Sequence, residues 1–72
     1  MKMFVELPRR EYYKGRYQTL PTLFSLNNIA RVVCCVDDSD FTNVTTTDGT
    51  TFTIAMRYET VMRRITEGGH DD

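Results

Sequence analysis

The sequence predicts an α+β protein, with a small antiparallel sheet of about four or five strands and one C-terminal amphipathic helix packed on one face. A chain of 72 residues is long enough for one hydrophobic core and too short for two. An Asp48-Gly49 pair between two β-branched runs is typical of a hairpin. Apolar residues recur at helical spacing from Tyr58 to Ile65. We therefore predict a single α+β domain over residues 1–69 and a flexible C-terminal tail over residues 70–72.

The composition is that of an ordinary globular protein, with 40% hydrophobic and 26% charged residues. No stretch approaches the roughly 20 consecutive apolar residues that span a bilayer. The segment MKMFVELPRR has charges and a proline where a signal peptide would be apolar. We expect a cytoplasmic protein with no membrane partner.

The sequence pattern of the first third of the chain predicts a less regular structure than that of the rest. Residues 2–7 alternate as a strand does, and we expect Pro8 to end that strand because proline lacks the N–H of a ladder bond. Residues 9–21 mix cations, tyrosines, glycine and proline without a period, which favours an exposed connection or an irregular edge hairpin. Residues 22–26 form a short β-prone piece, and Asn27-Asn28 tolerate a change of direction.

The strongest strand pattern lies at residues 29–36, where both faces are largely apolar and are predicted to be covered. One helix covers one face of a small sheet, so a partner chain must cover the other, or else the N-terminal segment folds over it. We therefore predict a homodimer or higher homo-oligomer. Cys34 and Cys35 are adjacent in this run and point to opposite faces, which predicts two reduced, small core residues rather than a redox or metal site.

The second half reads as a hairpin and a helix. A polar turn at residues 37–40 leads to strands at residues 41–47 and 50–56, joined by a two-residue Asp48-Gly49 loop in which both residues have positive φ. The helix is predicted over residues 57–67, with Gly68-Gly69 as its C-terminal stop. Its buried stripe comprises Tyr58, Val61, Met62 and Ile65.

The sequence offers little for catalysis, so we expect no enzyme, no cofactor and no bound metal. His70 is the single histidine and lies in the predicted tail. The acidic residues at 37–40 lack the glycine and distant glutamate of a calcium loop and predict a solvated turn. Threonines that recur at every second residue are typical of a solvated β face rather than of a binding surface. The threonines with this spacing are Thr45, Thr47, Thr51 and Thr53.

One stretch, RREYYKGRY, has a coherent binding chemistry because cations can neutralise phosphates while aromatic rings stack on bases. Three interpretations stay open: a solvated linker whose tyrosines pack on the sheet, a protein-binding surface, and a nucleic-acid-binding surface. The candidate binding residues are Arg9, Arg10, Tyr12, Tyr13, Lys14, Arg16 and Tyr17.

The net charge of -1 hides an asymmetry along the chain. Residues 1–36 hold six Lys and Arg against two Glu, whereas residues 37–72 hold three Arg against eight Asp and Glu. Acidic groups thus offset the basic stretch across the whole molecule. We expect a non-enzymatic protein-interaction or regulatory module with an unidentified protein partner, and the alternative is a nucleic-acid-binding module that uses residues 9–17.

The order of features over residues 22–65 resembles the small flagellar-operon proteins of the FlbD type, which have an apolar strand, a turn, two strands joined by a Gly turn, and a helix. The residues that carry this resemblance are Ile29, Val33, Val44, Gly49, Phe52, Ile54, Val61 and Ile65. The order Asn28-Ile29, Asp48-Gly49, Tyr58 is also similar to the closing part of LytTR-type DNA-binding domains. Both resemblances imply an architecture and carry over no binding residue. A bacterial or phage accessory protein is compatible with them.

Overall fold

The computed structural model describes residues 3–67 and confirms the α+β class. Five antiparallel strands form one sheet in the order β2-β1-β5-β4-β3, and one helix follows them. Among the described residues, no helix is long and apolar enough to cross a membrane. The predicted Gly68-Gly69 stop and the predicted tail at residues 70–72 lie outside the described residues. The elements are β1 (Phe4–Tyr13), β2 (Arg16–Ser25), a 3-10 turn (Leu26–Asn28), β3 (Ile29–Cys34), β4 (Thr42–Thr46), β5 (Thr51–Ile54) and α1 (Tyr58–Thr66).

Strand β1 runs straight through Pro8, so the prediction that Pro8 ends the strand is wrong. Pro8 lies directly opposite Pro21 of β2. Neither proline has an N–H, and a non-hydrogen-bonded pair of an antiparallel ladder needs none. The Pro8 carbonyl, on the other side of β1, accepts a 2.8 Å bond from the N–H of Ala55. The stretch predicted as a connection or irregular hairpin is therefore a regular hairpin of two ten-residue strands, with β2 at the sheet edge.

The tight two-residue turn is at Lys14-Gly15, between the paired residues Tyr13 and Arg16. Lys14 has φ 51° and Gly15 has φ 84°, the pair of positive values that a type I′ hairpin turn requires. Lys14-Gly15 is not one of the Asn-Gly or Asp-Gly pairs that are typical of such turns, which is why the sequence did not predict a tight turn there.

The Asp48-Gly49 hairpin is confirmed, but its predicted two-residue loop is wrong. Gly49 N donates to Thr46 O at 2.9 Å and Thr46 N donates to Thr50 O at 2.9 Å, which leaves a three-residue loop with positive φ at Gly49. The Asp48 carboxylate accepts the Thr46 hydroxyl at 2.5 Å and the Thr50 N–H at 3.0 Å. These bonds to the charged form, the Thr46 bond foremost, hold the pKa of Asp48 below its ordinary value.

Replacing Lys14 by Asn should stabilise the protein by about 0.5–1 kcal/mol, because Asn accepts the left-handed backbone of this turn more readily than Lys does. Urea titration of Lys14→Asn should show a higher midpoint with an unchanged slope. Lys14→Gln removes the same charge without this backbone tolerance and serves as the matched control. An equal gain in both variants would assign the effect to charge and contradict the turn geometry.

Strand β3 lies at the other edge of the sheet, so the prediction that both its faces are covered is wrong. Ala30, Arg31 and Val33 are exposed. Cys34 is also exposed and Cys35 is partly buried, so the pair is not two core residues; both thiols are free. A run that is apolar on both sides is typical of a central strand, but here β1 occupies the place beside β5 and leaves β3 outermost.

The core contains residues from both ends of the chain. Its buried hydrophobic side chains are Val5, Leu7, Phe24, Val44, Ile54 and Val61. Of the predicted helix stripe, Val61 is completely buried and Ile65 packs against the core, whereas Met62 is partly buried and Tyr58 is exposed. The burial predicted for Tyr58 is therefore wrong. The hydroxyl of Thr42, also buried, donates to Met56 O at 2.7 Å.

Helix α1 contacts β1 and β3. Strand β5 pairs with β1 at Arg9 and Arg10 alone among the described residues. Nearer the N-terminus of β1, the Arg64 Nη1 group donates to the carbonyl of Glu6 at 3.3 Å. A helix side chain thus bonds a strand carbonyl beyond the end of the β1–β5 pairing.

Candidate functional site

The seven candidate binding residues all lie at the turn end of the β1–β2 hairpin, but they do not share one face. Successive side chains of a strand point to opposite sides, and directly opposed residues share a side. One side, which we call the outer face, carries Arg10, Tyr12 and Tyr17. The core side carries Arg9, Tyr13 and Arg16, and Lys14 lies in the turn. The four cations therefore do not form one continuous track.

Arg9 is engaged by neighbours on the core side. Its Nη1 lies 2.7 Å from Glu11 Oε1, and its Nε donates to Thr22 Oγ1 at 3.1 Å. Its guanidinium carbon also lies 5.8 Å from the centre of the Phe52 ring. These three contacts anchor Arg9 to the sheet and offset its charge with a carboxylate.

Arg10 lies close to two aromatic rings on the outer face. Its guanidinium carbon is 4.1 Å from the centre of the Tyr17 ring and 4.6 Å from that of Phe41. The Tyr17 ring also meets Tyr12 edge-on, with 5.0 Å between centroids and an interplanar angle of 69°. Stacking on a guanidinium and edge-to-face packing are both favourable aromatic geometries. We call Arg10, Tyr12, Tyr17 and Phe41 the aromatic patch.

The rings of the patch are held in place yet remain accessible. Tyr12 and Tyr17 are 61% and 60% exposed, although each contacts another member of the patch. Beside the patch, Tyr13 is 52% exposed and lies 5.3 Å from Lys14 Nζ. The interpretation that these tyrosines pack down on the sheet therefore does not fit Tyr12, Tyr13 or Tyr17.

Phe41 is the residue of this patch that sequence reasoning missed. It comes just before β4, far from Arg10 along the chain, and the β1–β5–β4 order brings the two together. No local spacing indicates such a contact, because it depends on the order of strands in the sheet. A correct prediction of that order would have been the one available signal.

The other candidates from the sequence are engaged in local bonds. Thr45 and Thr51 hydroxyls bond each other at 2.9 Å, and Thr53 donates to Asn43 Oδ1 at 3.3 Å. Thr47 lies in the loop, outside the threonine row. Asp38 Oδ1 accepts a hydrogen bond from the backbone N–H of Asp40 in the same turn, and Asp37 is exposed. Within residues 3–67, no three His, Cys, Asp or Glu side chains are grouped to hold a metal ion, and His70 lies outside them.

A surface groove of about 500 Å³ lies between β2 and the β4–β5 loop. Its aromatic lining is Phe24 and Phe52, whose rings meet edge-on at 5.3 Å. Asp48 is the single ionisable side chain among its lining residues. This groove therefore has no matched acid and base within its lining, and the aromatic patch has the better-defined binding chemistry.

Comparison of the chain with protein-family models, with curated proteins and with solved structures finds no match. The resemblances to FlbD-type proteins and to LytTR-type domains therefore stay predictions.

Proposed function

We propose that the protein is a small non-enzymatic protein-interaction or regulatory module that binds its partner through the aromatic patch. The observation that carries this proposal is the exposure of Tyr12 and Tyr17, whose rings are already fixed by contacts with each other and with Arg10. Tyr and Arg are enriched in protein interfaces because they offer large contact area and a polar end at low entropic cost. A ring held in place before binding loses still less freedom.

The arrangement of the cations favours a protein partner over nucleic acid. Nonspecific nucleic-acid binding needs several cations along one phosphate track, with aromatic rings beside them. Here Arg9 and Arg10 belong to opposite sides of the sheet, and Arg9 is paired with Glu11. The whole chain also carries a net charge of -1.

We also propose self-association, with the edge strand β3 as its basis in place of a buried central strand. An edge strand presents unpaired backbone groups to another chain. Val33 is exposed on this strand and Val36, two residues after its end, is 93% exposed. We also propose a cytoplasmic location and a bacterial or phage origin. We further propose that α1 is an amphipathic cover of one sheet face, and the burial of Val61 supports this.

The double variant Tyr12→Ser/Tyr17→Ser should capture at least about tenfold less of its native protein partner, since truncating central aromatic anchors removes most of an interface's binding energy. The measurement is affinity capture of tagged wild type and variant from the native host after mild cross-linking, quantified by mass spectrometry. Tyr58→Ser makes the same substitution at an exposed tyrosine outside both proposed surfaces and is the matched control. Equal thermal melts of the three proteins establish that all are folded.

Two results would contradict the proposal. The first is a stoichiometric protein partner that the double variant retains as fully as Tyr58→Ser does. The second is saturable oligonucleotide binding at physiological salt that weakens when Arg9, Arg10, Lys14 and Arg16 are all changed to Ser. If each cation neutralised one phosphate of duplex DNA, log affinity would fall against log salt with a slope of roughly -3.6, at about -0.9 per contact.

A further inference from the structure

We propose that Arg10 is an anion-binding fork that recognises a carboxylate of an acidic segment in the partner protein. This inference rests on the proposed function and deepens it by naming the chemistry of the partner. It concerns the guanidinium in the middle of the aromatic patch, whereas the exposed tyrosine rings carry the proposed function itself.

The first observation is that the Arg10 guanidinium lies against two aromatic rings. Tyr17 and Phe41 lie within 4.1 and 4.6 Å of its carbon, so both aromatic neighbours displace water from the group. An aromatic ring is not a conventional hydrogen-bond acceptor, so these contacts leave N–H donors of the guanidinium available to a carboxylate. A partly desolvated, orientationally fixed cation binds a planar anion more strongly than a mobile, hydrated one.

The second observation is that the Arg10 side chain has no anionic partner and no side-chain hydrogen bond among residues 3–67. Other arginines of the described chain do have such contacts. Arg9 pairs with Glu11, Arg57 lies near Asp40 and Glu59, and Arg64 donates to Glu6 O. Arg10 therefore combines contacts to two aromatic rings with N–H donors that the described residues leave unbonded.

The third observation is a groove on the same side of the hairpin as Arg10. Thr19, which lies opposite Arg10 in the ladder, lines a surface groove of about 400 Å³. The rest of its lining is Glu6, Pro8, Pro21, Met56 and Arg64. Two prolines and a methionine provide apolar surface, and the lining holds one cation, Arg64, and one anion, Glu6. This combination suits an extended protein segment with an apolar side chain next to Asp or Glu.

A carboxylate in a protein fits this site better than a nucleic-acid phosphate does. The outer face of the hairpin presents one cation, Arg10. Even with Arg64 as a second phosphate contact, the salt slope would be only about -1.8, at about -0.9 per contact, which is too little counterion release for nucleic-acid binding at physiological salt. A single bidentate contact next to apolar surface is, in contrast, an ordinary element of a protein interface.

The test is an NMR titration of the full chain with a capped peptide of alternating Glu and Leu, following the Nε–Hε signals of the arginines. The Arg10 signal should shift and saturate, and the same peptide with Gln in place of Glu should not bind. Arg10→Gln should weaken binding by at least about tenfold, and Arg10→Lys should lose nearly as much because a point charge lacks the fork. Arg16→Gln, an equal charge change on the exposed end of the same hairpin, should stay within about twofold.

Several outcomes would overturn the inference. Equal weakening by Arg10→Gln and Arg16→Gln would indicate general charge attraction. Tighter binding of oligothymidylate than of the acidic peptide would favour nucleic acid. An Arg10→Gln variant that turns a sedimenting oligomer into a monomer would make a second copy the occupant. If the peptide fails to bind while Tyr12→Ser/Tyr17→Ser still loses the native partner, the carboxylate inference is wrong and the proposed function stands.

Discussion

Replacing Val61 by Asp should unfold the protein at room temperature. Val61 is completely buried among the core side chains and is the fully buried residue of α1. The substitution removes about 2 kcal/mol of apolar burial and places an unpaired carboxylate in the core, at a cost of several kcal/mol more. A domain of this size has a total stability of about 5–10 kcal/mol, so most or all of it is lost. Far-UV circular dichroism and a thermal melt measure the outcome.

The control for this variant is Arg63→Asp, two residues along the same helix at an exposed position. An acidic residue in the last helical turn is unfavourable by roughly 0.3–1 kcal/mol, so this variant should melt cooperatively a few degrees below wild type. A Val61→Asp protein with a cooperative melt at the wild-type temperature would show that the helix does not pack on the core.

The elements that local sequence signals could predict are the β4–β5 hairpin and α1. The hairpin has a Gly that accepts positive φ between two β-branched runs, and the helix has an apolar period of 3.6. Both signals arise within a dozen residues, so they do not depend on the rest of the fold. The details of the Asp48 loop were still wrong, because Asp48 bonds Thr46 and Thr50 rather than adopting positive φ.

The features that local signals could not predict depend on which strands are neighbours. Pro8 is compatible with a strand because Pro21 faces it and because its carbonyl has Ala55 as donor. The apolar strand β3 is outermost because β1 pairs with β5, a contact between the two ends of the chain. A propensity argument considers each residue by itself. Whether Pro8 fits in a strand, and whether β3 lies at the edge, depends instead on which strands pair with each other.

The candidate site also has one feature that local sequence signals predict and one that depends on which strands are neighbours. Its location at residues 9–17 could be predicted from composition, because cations and tyrosines are interleaved there. Its chemistry could not, because a regular hairpin separates Arg9 from Arg10 and strand order brings Phe41 to Arg10. A basic stretch in the sequence thus becomes one paired cation and one stacked cation in the fold.

Replacing Leu7 by Ala should destabilise the protein by about 2–5 kcal/mol. Leu7 is completely buried on β1, one residue before Pro8, and is a member of the single core cluster of the described residues. Truncation loses the transfer free energy of the removed carbons and leaves a cavity that the surrounding strands fill incompletely. Pro8 restricts the backbone next to the cavity, which limits relaxation of β1. Urea titration should show a lower midpoint with an unchanged slope.

Leu23→Ala makes the identical chemical change on the neighbouring strand β2, where the side chain is 64% exposed. Because little of Leu23 is removed from water on folding, this variant should lose less than about 1 kcal/mol. The difference between the two variants then measures burial, since residue type and size change are matched. Equal losses would mean that Leu7 does not face the core.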